Sequence, residues 1–431
     1  MDTLAVTGGR VLTPSLSVRE ADVLVDTAAG EILDVAQDLG GDADGTLDAT
    51  NGLVIPGLVN AHCHMAMSLL RGYAAEKPLE TWLREEVGPV EAEFTAEDIR
   101  VGTELALVEL IRSGVTAVGD MYFETAEVVE AVAQSGLRAR LGFAAVTVTK
   151  DDAGAQADVD ESFRVAETFD GAADGRVRTA AMPHSLTSVE EQYLAAFGER
   201  AAADGHPLHF HANETTAEVD PIVDEYGERP LAFADDHDLL RDTFVAHGVH
   251  LDETEIELAA ERDVGVAHCP AANAKLASGI APVQRMLDAG VTVGLGTDGP
   301  ASNDDLDMFD EMCQAAMVGK LAEGDATDVS AASVVEMATA GGADLLGFDA
   351  GRIEAGRAAD LAVVDLDAPH LTPEHDLVSL LVYAARGSDV RHTVADGEVV
   401  MRDREVLPFD AAAVRERAAD HAAAAVERQS S

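Results

Sequence analysis

The pattern of apolar and polar positions changes twice along this chain of 431 residues. Short apolar stretches separated by turn residues come first, as in short β-strands, at residues 4–6, 10–12, 21–25 and 31–35. From residue 53, apolar runs alternate with segments long enough for amphipathic helices, such as residues 97–112 and 189–203. We count eight such runs, which begin near Val54, Ala117, Ala139, Arg178, Pro207, Thr243, Val264 and Val291. Eight strand–helix units predict an α/β fold, the (β/α)8 TIM barrel.

Strand-like segments return near the C-terminus, at residues 351–365 and 392–401. They resemble the N-terminal strands in length and turn chemistry, so we expect both chain ends to form one small β-sandwich module beside the barrel. The predicted domains are residues 1–55 (N-terminal part of the module), 56–346 (barrel), and 347–431 (C-terminal part of the module and a terminal helix). This last helix is expected over residues 411–428, which are rich in alanine, glutamate and arginine.

The charge of the chain is extreme, because 80 acidic residues against 29 basic ones give a formal net charge of −51. Such an excess could serve a basic partner or a store of cations. The acids are spread along the whole chain and not collected in a tail, which favours a halophilic, salt-adapted surface. A nucleic-acid partner is excluded, because phosphates would meet a negative field.

Targeting and cysteine signals are weak. No apolar run reaches the roughly 18 residues of a membrane span, and no secretory signal is visible. We therefore expect a cytoplasmic protein without a membrane partner. Cys63, Cys269 and Cys313 are distant from one another and odd in number, which is typical of a reducing compartment, and we expect structural roles for them.

Candidate metal ligands stand at the end of the first apolar run. His62 and His64 are one residue apart, and residues i and i+2 of a β-strand point to the same face. Their imidazoles should therefore converge on one point, as a pair of metal ligands does. The alternative is a polar cap on a barrel strand, which the downstream histidines and aspartate disfavour.

Polar residues also end other runs, where the active sites of (β/α)8 barrels lie. His184 ends the fourth run, His211 and Glu214 follow the fifth, His247 ends the sixth and Asp298 the eighth. Three imidazoles and one carboxylate suit a single Zn²⁺ or similar divalent ion. A carboxylated lysine that bridges two metals would stand at the end of the fourth run, where the chain has no lysine.

Other histidines leave alternatives open. His209 and His211 share a strand face, but Glu214 follows His211 by one short turn, which favours His211 as the ligand and His209 as a satisfied core histidine. His250 is expected on a loop. His268 either lines the pocket or packs beside it.

These motifs resemble the amidohydrolase superfamily, in its single-metal deaminase branch: residues 56–64 (PGLVNAHCH), 211–214 (HANE), 247–250 (HGVH) and 296–299 (GTDG). Further stretches are similar to the 5-methylthioadenosine/S-adenosylhomocysteine deaminase family: residues 68–72 (SLLRG), 182–185 (MPHS), 273–276 (NAKL), 279–283 (GIAPV) and 297–303 (TDGPASN). The resemblance covers nearly the whole chain, including both parts of the module.

The resemblance implies a role for each matching residue. The metal ligands match His62, His64, His211 and Asp298. The catalytic residues match Glu214 (proton shuttle), His247 (hydrogen bond to the attacking water) and Asp298. The substrate-binding residues match Glu91, which would grip ribose hydroxyls, together with His184, Glu214 and Asp298. A solvated glutamate at a helix start is the alternative for Glu91.

The implied function is a zinc-dependent deaminase of purine salvage that converts an adenosine-type nucleoside to the inosine-type product and ammonia. The nucleoside would be 5-methylthioadenosine, S-adenosylhomocysteine, 5-deoxyadenosine or adenosine. A divalent metal lowers the pKa of bound water toward about 7. The resemblance implies that Asp298 would accept a proton from the attacking water, that His247 would orient this water toward C6, and that Glu214 would protonate N1.

One departure bears on the substrate. Lys150-Asp-Asp follows the third run, where family members that accept the amino-acid-bearing substrate are expected to have arginines. This favours the substrates other than S-adenosylhomocysteine. Two rivals remain: another single-metal reaction, such as guanine or cytosine deamination or triazine dechlorination, and a non-catalytic barrel scaffold. The sequence leaves a homo-oligomer open.

Overall fold

Seven short strands precede the barrel in the structure, a computed structural model that describes residues 2–74 and 76–430. Positions 1 and 431 of the predicted domains lie outside the described residues. These strands are β1 Thr3–Thr7, β2 Arg10–Leu12, β3 Val18–Glu20, β4 Asp22–Asp26, β5 Glu31–Ala36, β6 Gly45–Asp48 and β7 Gly52–Pro56.

Parallel strands then build the barrel, which confirms the predicted fold class. They are β8 Leu58–Cys63, β9 Val115–Tyr122, β10 Arg138–Ala145, β11 Val177–Thr179, β12 Met182–Pro183, β13 Leu208–Ala212, β14 Thr243–His247, β15 Gly265–His268 and β16 Val293–Leu295. The fourth barrel strand is split into β11 and β12. Bridges from Ala181 to Leu208 and from Ser185 to His211 join it to β13. At the closing seam, Asp298 donates its backbone N–H to the carbonyl oxygen of His62 (3.0 Å).

The first apolar run requires a correction, because it forms two strands. β7 belongs to the module and β8 is the first barrel strand. Gly57 separates them and donates its backbone N–H to the carbonyl oxygen of Asp360 (2.8 Å). A Cβ at this position would lie 2.1 Å from Oγ1 of Thr116, so only glycine lets the chain pass so close to β9.

Helices connect the barrel strands, and those after residue 295 follow the last barrel strand. In chain order they are α1 Leu79–Trp82, α2 Gly88–Glu91, α3 Ala96–Arg112, α4 Thr125–Ser135, α5 Asp152–Phe169, α6 Glu191–Asp204, α7 Thr216–Tyr226, α8 Pro230–Asp236, α9 Glu253–Arg262, α10 Pro270–Lys275, α11 Val283–Asp288, α12 Pro300–Asn303, α13 Met308–Glu323, α14 Ala331–Glu336, α15 Gly342–Leu346, α16 Leu377–Tyr383 and α17 Ala411–Gln429. The π-helical turn Leu83–Val87 joins α1 to α2. None of the helices in the described parts of the chain is long and apolar enough to cross a bilayer.

Strands from both chain ends form the β-sandwich module. The C-terminal strands are β17 Leu361–Asp365, β18 Val390–Ala395, β19 Glu398–Arg402 and β20 Glu405–Val406. One sheet has the order β5-β4-β1-β6, and the other has the order β20-β19-β18-β17-β7-β2-β3. β7 pairs with β17, so N- and C-terminal strands meet within one sheet. Buried side chains from both ends share one apolar cluster, including Val6, Val23, Ile32, Leu361 and Val394.

Candidate active site

Four side chains converge at the mouth of the barrel. His62 lies in β8 and His64 directly follows it, His211 lies in β13, and Asp298 follows β16. Each of them offers one ligand atom, and these atoms all lie within 4.8 Å of one another. All four residues are buried. The barrel thus brings together the residues that the strand-end pattern predicts as metal ligands.

The ring nitrogens of these residues face one carboxylate oxygen. Oδ1 of Asp298 lies 3.2 Å from Nε2 of His64 and 3.6 Å from Nε2 of His62. Nε2 of His211 lies 3.3 Å from Nε2 of His64. The second carboxylate oxygen of Asp298, Oδ2, accepts a hydrogen bond from the hydroxyl of Ser302 (2.6 Å).

Hydrogen bonds on the far side of each ring fix the proton position. His64 donates its Nδ1–H to the carbonyl oxygen of Met121 (2.7 Å), and His211 donates its own to the carbonyl oxygen of His184 (2.6 Å). Both rings therefore turn an unprotonated Nε2 toward the cluster when neutral. A partner on the other ring nitrogen is the usual way in which proteins orient histidine ligands.

His62 is fixed in the same way by a second histidine. His209 donates its Nδ1–H to the carbonyl oxygen of Phe244 (2.9 Å), so Nε2 of His209 is an acceptor in the neutral ring. Nδ1 of His62 lies 2.9 Å from this atom and donates to it. His209 is thus a satisfied core histidine that also orients His62.

The donor set fits one divalent cation. Nε2 of His62 is fully buried and has no hydrogen-bond partner among the described residues, and polar atoms in this situation are costly. Burial lowers the pKa of His62 to about 3 and that of His211 well below its usual range. Burial works against ionisation of Asp298, but the adjacent imidazoles of His62 and His64 hold its pKa well below the usual range. Burial works against protonation of His64, but the carboxylate of Asp298 raises its pKa to about 9. A bound cation would displace this proton, because Zn²⁺ takes neutral imidazoles and ionised carboxylates as ligands.

Two further groups stand beside the cluster. Oε2 of Glu214 lies 3.7 Å from Nε2 of His247. His247 has a φ of 74° and Asp298 a φ of 59°, which is the left-handed region that such residues rarely adopt. Non-glycine residues in this region concentrate at functional sites.

One cavity connects the cluster to the predicted substrate residues, with an empty volume of about 600 Å³. His64, His211, Glu214, His247 and Asp298 line one part of it, and Glu91 and His184 line another. Glu91 ends α2 and accepts a hydrogen bond from the hydroxyl of Tyr122, and burial raises its pKa. Glu91 is therefore not the solvated glutamate of the alternative interpretation.

A sequence profile of the amidohydrolase family matches residues 53–400. The chain belongs to the amidohydrolase family. It is 66% identical over 429 residues, 99% of each chain, to a 5-methylthioadenosine/S-adenosylhomocysteine deaminase of Natronomonas pharaonis. It is 43% identical over 390 residues, 90% of each chain, to a 5′-deoxyadenosine deaminase of Methanosarcina acetivorans. A crystal structure of an adenosine deaminase from Xanthomonas campestris with bound zinc matches with a TM-score of 0.92 and 35% identity over 98% of each chain. The resemblance seen in the motifs is confirmed.

The structure also places two histidines and two cysteines whose roles the sequence left open or predicted to be structural. Nε2 of His250 donates to the carbonyl oxygen of Ser278 (2.8 Å), on a loop as expected. His268 ends β15 and is buried, and its Nδ1 has no hydrogen-bond partner in the described parts of the chain. Cys63 and Cys269 are buried and unpaired by disulfide.

Sequence reasoning missed Tyr122 and Glu218, which contact this amidohydrolase site, and it quoted Asn273 only as part of the NAKL motif, without a role. Tyr122 ends β9, so the strand-end pattern could have found it. Glu218 lies one helical turn after Glu214 and accepts the backbone N–H of Glu214 at Oε2 (2.8 Å). Asn273 lies 26 residues after His247 in the chain, and its Oδ1 lies 2.9 Å from Nδ1 of that histidine. No periodicity signals this last contact.

Proposed function

We propose that this amidohydrolase is a metal-dependent hydrolytic deaminase, which converts an adenosine-type nucleoside to the inosine-type product and ammonia. The observation that carries the proposal is the convergence of three imidazoles and one carboxylate on one point, in the same cavity as Glu214 and His247. Relatives that are named deaminases and match along the full chain support it.

His62, His64, His211 and Asp298 would hold one Zn²⁺ or similar divalent ion. When bound, such an ion polarises water and lowers its pKa toward about 7. The position of Asp298 beside His62 and His64 suits it to accept the proton of the attacking water, while Ser302 holds its other oxygen.

Glu214 and His247 complete the proton transfers that we propose. Nε2 of His247 and the carboxyl of Glu214 face the same space, where His247 holds the attacking water. Glu214 delivers a proton to N1 of the adenine ring, which allows C6 to become tetrahedral. The oxygen of the attacking water bonds to C6 as Asp298 takes its proton. Asp298 then passes this proton to the amino group, the C6–N bond breaks and ammonia leaves, and the proton of the new C6 hydroxyl returns to Glu214.

The other end of the cavity would hold the ribose. The carboxyl of Glu91 has one partner in Tyr122 and lies on the cavity wall, where it can accept hydrogen bonds from ribose hydroxyls. His184 lies on the same wall, and its Nδ1 is 3.0 Å from the hydroxyl of Ser188. This hydrogen bond fixes the ring beside the substrate.

The 5′ substituent is expected to be uncharged. Apolar side chains form much of the lining: Met67, Leu79, Trp82, Leu83, Met121, Phe123 and Ala144. Among the described residues of this lining there is no lysine or arginine. Lys150 pairs with Asp158 (2.5 Å). The carboxylate of S-adenosylhomocysteine would therefore lack a cationic partner.

A substrate panel tests the proposal. We expect ammonia release in molar salt from 5-methylthioadenosine, 5′-deoxyadenosine and adenosine, and not from guanine, cytosine or atrazine. The kcat/KM for S-adenosylhomocysteine should be lower by about tenfold or more, because a buried group without a partner costs above about 1.4 kcal/mol. The uncharged 5′-butylthioadenosine controls for size. Two results would overturn the proposal: activity on a free base or a triazine but on no nucleoside, or no activity on any compound of the panel.

The Glu214→Gln variant tests the proton shuttle. We expect it to keep its bound metal and to lose turnover by about 100-fold or more, because glutamine cannot deliver the proton. Glu97→Gln, at an exposed position outside the cavity, is the matched control. Turnover equal to that of the control would remove Glu214 from the mechanism.

Several broader expectations accompany this function. We propose the domain division at residues 1–55, 56–346 and 347–431, supported by the pairing of β7 with β17. We also propose a cytoplasmic location, supported by the small-molecule substrate. A homo-oligomer stays open, and light scattering would determine the oligomeric state.

A further inference from the structure

Three histidines at the site share one pattern of anchoring. His64, His211 and His209 each donate Nδ1–H to a backbone carbonyl oxygen, at 2.7, 2.6 and 2.9 Å. As a result, Nε2 of His64 and of His211 faces the ligand cluster, and Nε2 of His209 faces Nδ1 of His62. The residue that supplies the acceptor fixes both the orientation of the ring and its tautomer.

His247 differs from these three rings, because a side chain provides its acceptor, as His209 does for His62. Oδ1 of Asn273 lies 2.9 Å from Nδ1 of His247. Both residues are only 1% exposed, so water cannot replace this partner. The opposite ring atom, Nε2, faces Oε2 of Glu214 at 3.7 Å.

The backbone holds Asn273 firmly in place. Asn273 lies in α10, where its N–H donates to the carbonyl oxygen of Cys269 (3.0 Å) and its own carbonyl oxygen accepts the N–H of Ser278 (2.9 Å). Its Nδ2 is buried and has no hydrogen-bond partner among the described residues. A buried amide with one unsatisfied half is costly, which points to a functional reason for keeping it.

We propose that Asn273 is a positioning residue that accepts Nδ1–H of His247 and thereby keeps Nε2 of His247 as the acceptor that faces the attacking water. It takes the place that backbone carbonyls have at His64, His209 and His211. The role in turnover rests on the deaminase function proposed above, whereas the tautomer of His247 can be measured without turnover.

Two substitutions separate positioning from simple packing. Asn273→Asp keeps an acceptor oxygen toward Nδ1, and Asn273→Leu keeps the volume without any acceptor. We expect kcat on 5-methylthioadenosine to fall by about 10–100-fold in Asn273→Leu, with KM changed far less, and to be largely retained in Asn273→Asp. An equal loss in both variants, or a kcat in Asn273→Leu equal to that of the unmodified enzyme, would overturn the proposal.

Nitrogen NMR of the zinc-loaded enzyme with ¹⁵N-labelled histidine gives the independent readout. We expect the neutral ring of His247 to carry its proton on Nδ1, and this signal to change in Asn273→Leu. His392, in the module strand β18, is the internal reference. Its Nδ1 accepts the backbone N–H of Asp403 (3.1 Å), so its neutral ring carries the proton on Nε2. A proton on Nε2 of His247 in the unmodified enzyme would overturn the proposal, even if Asn273→Leu does not fold.

The outcomes also separate this inference from the proposed function. An enzyme that is inactive on every adenosine but shows the Nδ1–H tautomer contradicts the function and keeps the positioning. An active enzyme with the other tautomer contradicts the positioning alone.

Discussion

At the scale of single residues, the site depends on side chains that hold other side chains. Glu218 is a clear case, because it is buried beside a catalytic candidate and accepts the backbone N–H of Glu214. Burial raises its pKa from 4.5 to about 8. The folded protein therefore keeps a proton on Glu218 that the unfolded chain releases between these two values.

The difference between the folded and unfolded pKa of Glu218 predicts how the stability changes with pH. The contribution of Glu218 is fully present below its unfolded pKa of 4.5 and is lost as the pH rises through about 8. Glu218→Gln is uncharged at every pH, so its free energy of unfolding should rise relative to the unmodified protein between about pH 5 and about pH 9. Guanidinium midpoints at constant ionic strength would measure this. A difference in the free energy of unfolding that stays constant between about pH 5 and about pH 9 would contradict the prediction.

Residue spacing predicted which side chains would meet, and tertiary contacts decided how they are held. The i, i+2 spacing of His62 and His64 placed both at one point, because strand geometry alone requires it. The anchoring of His62 by His209 joins residues 147 positions apart, and a backbone carbonyl anchors His64. Neither contact leaves a local signature, so the sequence could not predict it.

At the scale of elements, the segment from α1 to α2 forms one wall of the cavity. It supplies Leu79, Trp82, Leu83 and Glu91 to the lining. Trp82 is only 3% exposed and lines the cavity. Sequence patterning predicted neither this wall nor the break at Gly57, because both depend on close packing against neighbouring elements.

Removing the indole tests the wall. We expect Trp82→Ala to raise KM for 5-methylthioadenosine by about tenfold or more, since burial of an aromatic side chain contributes about 1.5–3 kcal/mol. The effect on kcat should be smaller, because Trp82 has no part in the proton transfers that we propose. Arg84→Ala, on the same segment with a side chain 71% exposed, is the control. A KM equal to that of the control would contradict the prediction.

At the scale of the whole molecule, the net charge of −51 dominates. Repulsion between carboxylates destabilises the compact state unless salt screens it, and the Debye length falls from about 10 Å at 0.1 M to about 3 Å at 1 M. We expect Tm to rise steadily between these salt concentrations. Calorimetry in potassium chloride would measure the rise, with sucrose at equal osmolality as the control. A Tm independent of salt would contradict the interpretation of a salt-adapted surface.

The most direct test of the central claim is the metal content of the purified protein. Elemental analysis should find about one zinc or similar divalent ion per chain, and Asp298→Ala should lose most of it because one of four ligands is gone. Ser302→Ala, which removes the hydrogen-bond partner of Asp298 Oδ2 and leaves all four ligands in place, should keep the ion. No bound divalent metal, two per chain, or undiminished metal in Asp298→Ala would contradict the account.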